Sequence, residues 1–217
     1  MLDALKQELA VAVDYLKQEN MRYINKGNIT LLDSANNLLV VESATYAQTG
    51  DPNTMLIADL SGNIVEGNEL ADGSLAAHLE LYKAFSCIGA IVHSHSMYTT
   101  AWAQAGRDIP IYGTGHLDYF SEPIPCTRAI TINELENGYG TAAGQCVIEI
   151  FQKKSLNPET VPAALLFQHG AYVWGRDAME AAKRCVALEQ IARLAYLTEK
   201  INPDIADAQR HITPKSF

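Results

Sequence analysis

The amino-acid sequence predicts one α/β domain of three layers, a mainly antiparallel central sheet flanked by helices. Three observations support this. Apolar residues recur at helical spacing at both ends of the chain, short apolar runs bounded by turn words fill the middle, and 48% of the 217 residues are hydrophobic against 19% charged. That balance fills a single core, and with no repeat, linker or low-complexity stretch the whole span, 1–217, is assigned to one domain.

Leu2, Leu5, Leu9, Val13 and Leu16 share one helical face, so a helix is predicted from Asp3, a capping residue, to Asn20. Asn28–Leu32 and Leu38–Val41 are apolar runs around Asp33-Ser34-Ala35-Asn36-Asn37 and predict a hairpin. Strands follow at Met55–Ala58 and, after the Ser61-Gly62-Asn63 turn, at Ile64–Glu66. Leu75, His78, Leu79, Tyr82 and Phe85 mark a second helix. Ala90-Ile91-Val92-His93-Ser94-His95 reads as a central strand, and Ser96 can cap the next helix, which contains Trp102 and ends near Gly106. Thr131 with Glu134, and Asp177 with Glu180, have the spacing of capping boxes. A helix around Thr141–Gln152 precedes, beyond Pro158 and Pro162, a strand at Ala163–Phe167. The last helix runs from about Ala178 to Lys200 with Ala181, Cys185, Leu188, Ile191 and Ala195 on one face, and Pro203 stops it.

The formal charge of -9 and the lack of any basic run disfavour nucleic acid and anionic membrane surfaces as partners. Asp3, Lys6, Glu8, Asp14, Lys17 and Glu19 are spread through the first twenty residues, unlike a secretory leader, and no stretch is apolar enough to span a bilayer. Cys87, Cys126, Cys146 and Cys185 lie far apart in apolar settings without a CxxC pair, so they are expected as buried, reduced thiols of a cytoplasmic protein.

Residues two apart on a strand project from one face, so His93 and His95 can aim two imidazoles at one point while Ser94 faces away. His169 lies just past a strand, and Gly170 allows a tight turn that would bring it beside them. Three neutral imidazoles leaving an open position suit a divalent cation such as Zn²⁺ used as a Lewis acid. An HxH pair by itself fits equally well two polar residues at a strand end, and His169 alone fits a loop residue better than a ligand. His78, among Leu75, Leu79 and Tyr82, reads as packed in the core or behind a site, and His211 as an exposed tail residue.

The surrounding words narrow the choice. Gly27-Asn28-Ile29-Thr30, Ile91-Val92-His93-Ser94-His95-Ser96, Trp102-Ala103-Gln104-Ala105-Gly106, Gly113-Thr114-Gly115-His116-Leu117-Asp118-Tyr119-Phe120, Ile124-Pro125-Cys126-Thr127-Arg128 and His169-Gly170 stand in the order and spacing of the L-ribulose-5-phosphate 4-epimerases. Up to about Lys200 the chain therefore resembles the class II aldolase and epimerase family, to which the adducin head domains also belong. The words around Asp118 and Arg128 are closer to the epimerase branch than to the fuculose-phosphate aldolases. The resemblance implies the class II aldolase/epimerase fold and a Zn²⁺ ion, or Mn²⁺ or another divalent metal, on His93, His95 and His169. It further implies retro-aldol and aldol chemistry on a sugar or sugar phosphate through a metal-stabilised enediolate. Asp118 matches the family's acid/base aspartate, which reaches the site of a neighbouring subunit, so a homotetramer with inter-subunit active sites is expected. Asn28 with Gly27, and Ser43, match substrate-contacting positions, and Thr114 and His116 shape the Asp118 loop.

Three departures bear on the substrate. Ser74 stands where the family has a metal-binding carboxylate, and since a serine hydroxyl is a poor ligand this leaves three histidines plus water, or Asp72 or Ser74 as a fourth ligand. Val41-Glu42-Ser43-Ala44 replaces the Lys-Pro-Ser-Gly word that receives a phosphate, and Glu42 and Asp72 add like charge there. At ~4 Å in an effective dielectric of about 20, each such contact costs on the order of 4 kcal/mol. No tyrosine follows Tyr196 to match the epimerases' partner acid/base. The expectation is a metal-dependent sugar epimerase whose substrate lacks a phosphate or carries a different polar tail. The alternatives are an aldolase or other lyase on a hydroxy-carbonyl compound, and a non-catalytic binding protein of the adducin-head kind.

Overall fold

The computed structural model describes residues 2–21, 27–67, 73–136 and 138–205. Leu9, Val13 and Leu16 bury the predicted stripe of α1 (Leu2–Gln18), and Asp3 stands inside its first turn, where its charge complements the helix dipole. The predicted hairpin is β1 (Gly27–Asp33) with β2 (Leu38–Val41), and the Asp33 carboxylate closes its turn by accepting from the Ala35 N–H and Asn36 Nδ2. Short α2 (Ala44–Thr49) leads to β3 (Leu56–Asp59) and β4 (Ile64–Glu66), and α3 (Leu75–Ala84) to β5 (Ala90–Ser94). Four helices follow, α4 (Met97–Ala105), α5 (Thr114–Leu117), α6 (Ile132–Leu135) and α7 (Tyr139–Lys154). The chain then makes β6 (Ala163–Leu166), β7 (Gly170–Gly175) and the long α8 (Ala178–Ile201).

The seven strands form one sheet in the order β4-β3-β2-β1-β5-β7-β6, with every ladder antiparallel. Side-chain alternation divides its two faces. Thr30 bonds to His78 and Tyr82 of α3, and Trp174 packs on Phe85 and Phe151, so α3 and α7 cover one face. Helices α1, α4 and α8 cover the other. Among the described residues no helix is long and apolar enough to cross a membrane. The four cysteines carry free thiols, three of them buried and Cys87 half-buried.

Four local expectations are corrected. Strand β7 was not expected, because Gly170 and Gly175 bracket it like turn residues; all six of its positions are buried between β5 and β6. The left-handed residue of the β6–β7 turn is Gln168 (φ 59°), not Gly170. Gly170 serves close approach instead, since a Cβ there would sit 2.5 Å from the Ser94 carbonyl oxygen of β5. Ser96 occupies the N-cap of α4 but makes no capping bond; the Glu189 carboxylate of α8 accepts from the Tyr98 and Thr99 N–H groups in its place. The capping box at Thr131 is complete, whereas at Asp177 the Glu180 carboxylate turns to the Arg176 N–H.

Candidate metal centre

Antiparallel pairing sets His93 directly opposite Asn28 of β1 on one side and Tyr172 of β7 on the other. The buried His93 ring stacks on Tyr172 with centroids 4.6 Å apart, and its Nδ1–H donates to the Ala171 carbonyl at 3.1 Å. A carbonyl oxygen only accepts, so this bond fixes the proton on Nδ1 and leaves the Nε2 lone pair facing the cavity. Burial, with His95 and His169 as further causes, holds His93 well below the ordinary imidazole pKa and therefore neutral.

His95 follows the end of β5, and His169 ends the three-residue β6–β7 turn. Their Nε2 atoms lie 3.0 Å and 3.1 Å from His93 Nε2. One lone pair cannot serve two N–H donors well, whereas a cation serves three lone pairs at once. Metal–nitrogen bonds of about 2.0–2.1 Å at tetrahedral angles would place the nitrogens about 3.3 Å apart, so the donor set fits a divalent ion. Among the described residues, His93, His95 and His169 are the group of metal-binding type. They open into a cavity of about 470 Å³ lined also by Gly27, Ser74, Tyr139 and Tyr172.

The remaining expected site residues fall into three places. Asn28 donates from Nδ2 to Ser74 Oγ at 2.6 Å beside the histidines, and among the described residues its buried Oδ1 has no partner. Ser43 is spent on structure: its hydroxyl accepts from the Tyr46 N–H as the cap of α2 and donates to the Thr54 carbonyl, with Glu42 buried beside it. Asp118 and His116 line a separate cavity of about 660 Å³ with Tyr15, Tyr112 and Lys183. Thr114 begins the one-turn helix α5 at its edge, and His116 Nε2–H donates to the Glu122 carbonyl. Within one protomer, Asp118 and the histidines therefore belong to different cavities. Asp72 and His211 lie outside the described residues.

Gly27 holds φ at 103°, and a Cβ there would sit 2.3 Å from the His93 carbonyl oxygen. Gly27→Ala combines left-handed strain with a backbone clash, each on the order of 1–3 kcal/mol. We expect a loss of roughly 2–4 kcal/mol of stability, read by calorimetry as a lowered thermal midpoint, because the ladder that carries His93 has no room to give.

Behind the site, His78 Nδ1 meets Thr30 Oγ1 at 2.9 Å and Tyr82 OH meets the same oxygen at 3.0 Å. Burial pushes the His78 pKa down from 6.5 to about 3. The unfolded chain thus takes up a proton below about pH 6.5 that the folded chain refuses until about pH 3. Stability should fall as pH drops through that window, at up to about 1.4 kcal/mol per pH unit from this group. Denaturant titrations of His78→Gln and wild type should show a shallower acid slope in the variant. An equal slope would remove His78 as the cause.

The sequence did not reveal the two aromatic side chains that line the histidine cavity. Tyr172 could have been found by strand alternation once β7 was recognised, and Tyr139 carried no signal beyond its place after Gly138.

Comparison with solved structures shows the same fold. An L-fuculose 1-phosphate aldolase is 21% identical, with 92% of this chain and 88% of that one covered and a TM-score of 0.76. The l-fuculose-1-phosphate aldolase from Thermus thermophilus is 19% identical, with 93% and 98% covered and a TM-score of 0.69. YgbL from Escherichia coli, whose reaction is left open among aldolase, epimerase and decarboxylase, is 20% identical, with 90% and 89% covered and a TM-score of 0.66. The family model for the class II aldolase and adducin N-terminal domain matches residues 7–196, and the chain belongs to that family.

Proposed function

We propose that this chain is a metal-dependent enzyme of retro-aldol and aldol chemistry on a sugar-like hydroxy-carbonyl compound, with epimerisation as its net reaction. The observation that carries the reading is the convergence of His95 Nε2 and His169 Nε2 on His93 Nε2, at 3.0 Å and 3.1 Å, with the His93 tautomer set for coordination. When bound, a cation, Zn²⁺ or else Mn²⁺, supplies a Lewis acid for negative charge developing on oxygen. The protein's own residues position and exchange protons. Asn28 offers a buried amide beside the histidines, and Gly27 and Ser74 form the adjoining wall. Asp118, from its separate cavity, serves the site of a neighbouring subunit in a homotetramer, accepting and returning the proton of the migrating hydroxyl. Thr114 and His116 hold its loop.

The substrate is read as lacking a phosphate or carrying another polar tail, since Ser43 is committed to its cap and Glu42 lies beside it. Zinc-loaded protein offered L-ribulose 5-phosphate should fall well short of the ordinary enzymatic kcat/KM of ~10⁴ M⁻¹s⁻¹. Turnover at that level would sink this part of the reading. The aldolase names of two structural relatives favour cleavage as a second reading, and product analysis separates the two: one isomer from epimerisation, two fragments from cleavage.

A further inference from the structure

His95 sits between a fixed strand and a helix whose start is held from far along the chain. On one side, Ser94 is paired with Gly27 and Ala171 across two ladders. On the other, α4 begins at Met97, two residues beyond His95, and its N-cap serine makes no capping bond. The Glu189 carboxylate accepts from the Tyr98 N–H at 2.8 Å, the Thr99 N–H at 2.9 Å and the Thr99 hydroxyl at 2.8 Å. A carboxylate at this end of a helix also meets the positive pole of its dipole. Neighbouring contacts tie the same two helices together: Trp102 Nε1–H donates to the Ala192 carbonyl, and the Arg193 guanidinium lies 5.7 Å from the Tyr98 ring centroid.

We propose that Glu189 is a positioning residue for the metal centre, fixing the start of α4 so that the short connector keeps His95 Nε2 on the point shared with His93 and His169. The inference rests on the reading of these histidines as metal ligands. Glu189 itself need touch neither cation nor substrate. In Glu189→Ala the first turn of α4 loses all three acceptor bonds, and in Glu189→Gln one carboxamide oxygen is left where two carboxylate oxygens accepted and the charge is gone; in both the connector gains freedom, so His95 leaves the converged geometry in part of the population. His93 and His169 stand on β5 and the β6–β7 turn and stay in place.

The test uses the full-length protein as Glu189→Gln, Glu189→Ala and the comparison variant Glu180→Gln, which loosens the pairs of Glu180 with Arg176 and Arg184 in the first part of α8. Zn²⁺ affinity, read by competition with a chromogenic chelator, should fall ~10–100-fold in both Glu189 variants, the range for residues that orient a ligand. The visible absorption bands of the Co²⁺-loaded protein should change with it, while Glu180→Gln keeps wild-type affinity and bands at a comparable loss of melting temperature. If Glu189→Ala does not fold, Glu189→Gln, which keeps the shape and removes the charge, decides alone. Wild-type affinity and spectrum in the Glu189 variants would overturn this inference and leave the parent reading standing. Wild-type protein that takes up no cation overturns both.

Discussion

His95→Ala should yield a folded protein that purifies without stoichiometric metal and has lost its activity by ~10³-fold or more, the loss expected when several kcal/mol of charge stabilisation disappear. The replacement removes one of three nitrogens, and the 3.0 Å approach to His93 Nε2 leaves no other donor of the described group to take its place. His95 is the better test than His93, whose ring is packed on Tyr172 and whose loss would confound coordination with a core cavity. Elemental analysis beside a melting curve reads the outcome. Metal retained at one equivalent with wild-type activity would dissolve the functional reading.

Asp118→Asn should leave metal content unchanged and lower turnover by ~10²–10⁴-fold, the span for loss of a general acid or base. Its second consequence concerns assembly. Asp118 and the histidines occupy separate cavities of one protomer, so a site built across a subunit boundary can take its metal from one copy and its carboxyl group from another. Co-expressing Asp118→Asn with His95→Ala should then restore activity that neither variant has alone, because some boundaries join an intact triad to an intact carboxylate. Mixed assemblies no more active than the separate variants would place Asp118 outside the reaction or confine it to its own protomer.

The sequence announced those elements whose signal is local. The stripe of α1, the Asp33 turn, the Thr131 box and the strand carrying His93 each depend on residues a few positions apart, and each forms. Strand β7 was obscured because it is buried throughout, which removes the polar-apolar alternation of a half-buried strand, and because glycines stand at both its ends. The cap of α4 was illegible for a different reason: Glu189 lies about ninety residues from the N–H groups it receives, and only folding introduces them. In the site, the strand spacing of His93 and His95 implied a shared face, but the place of His169 depended on the register of β6 with β7, where Leu166 opposes Gly170. Ser43 shows a role its neighbours did not signal: its hydroxyl closes the start of a short helix.

The three histidines stand on unlike supports. His93 belongs to a strand with a partner along each edge, His95 to a two-residue connector and His169 to a hairpin turn. Support is therefore unequal: one imidazole is carried by the sheet itself, and the other two hang on links that α4 orders, through Glu189 at its start and through the Gln168 N–H on the Ala103 carbonyl near its end.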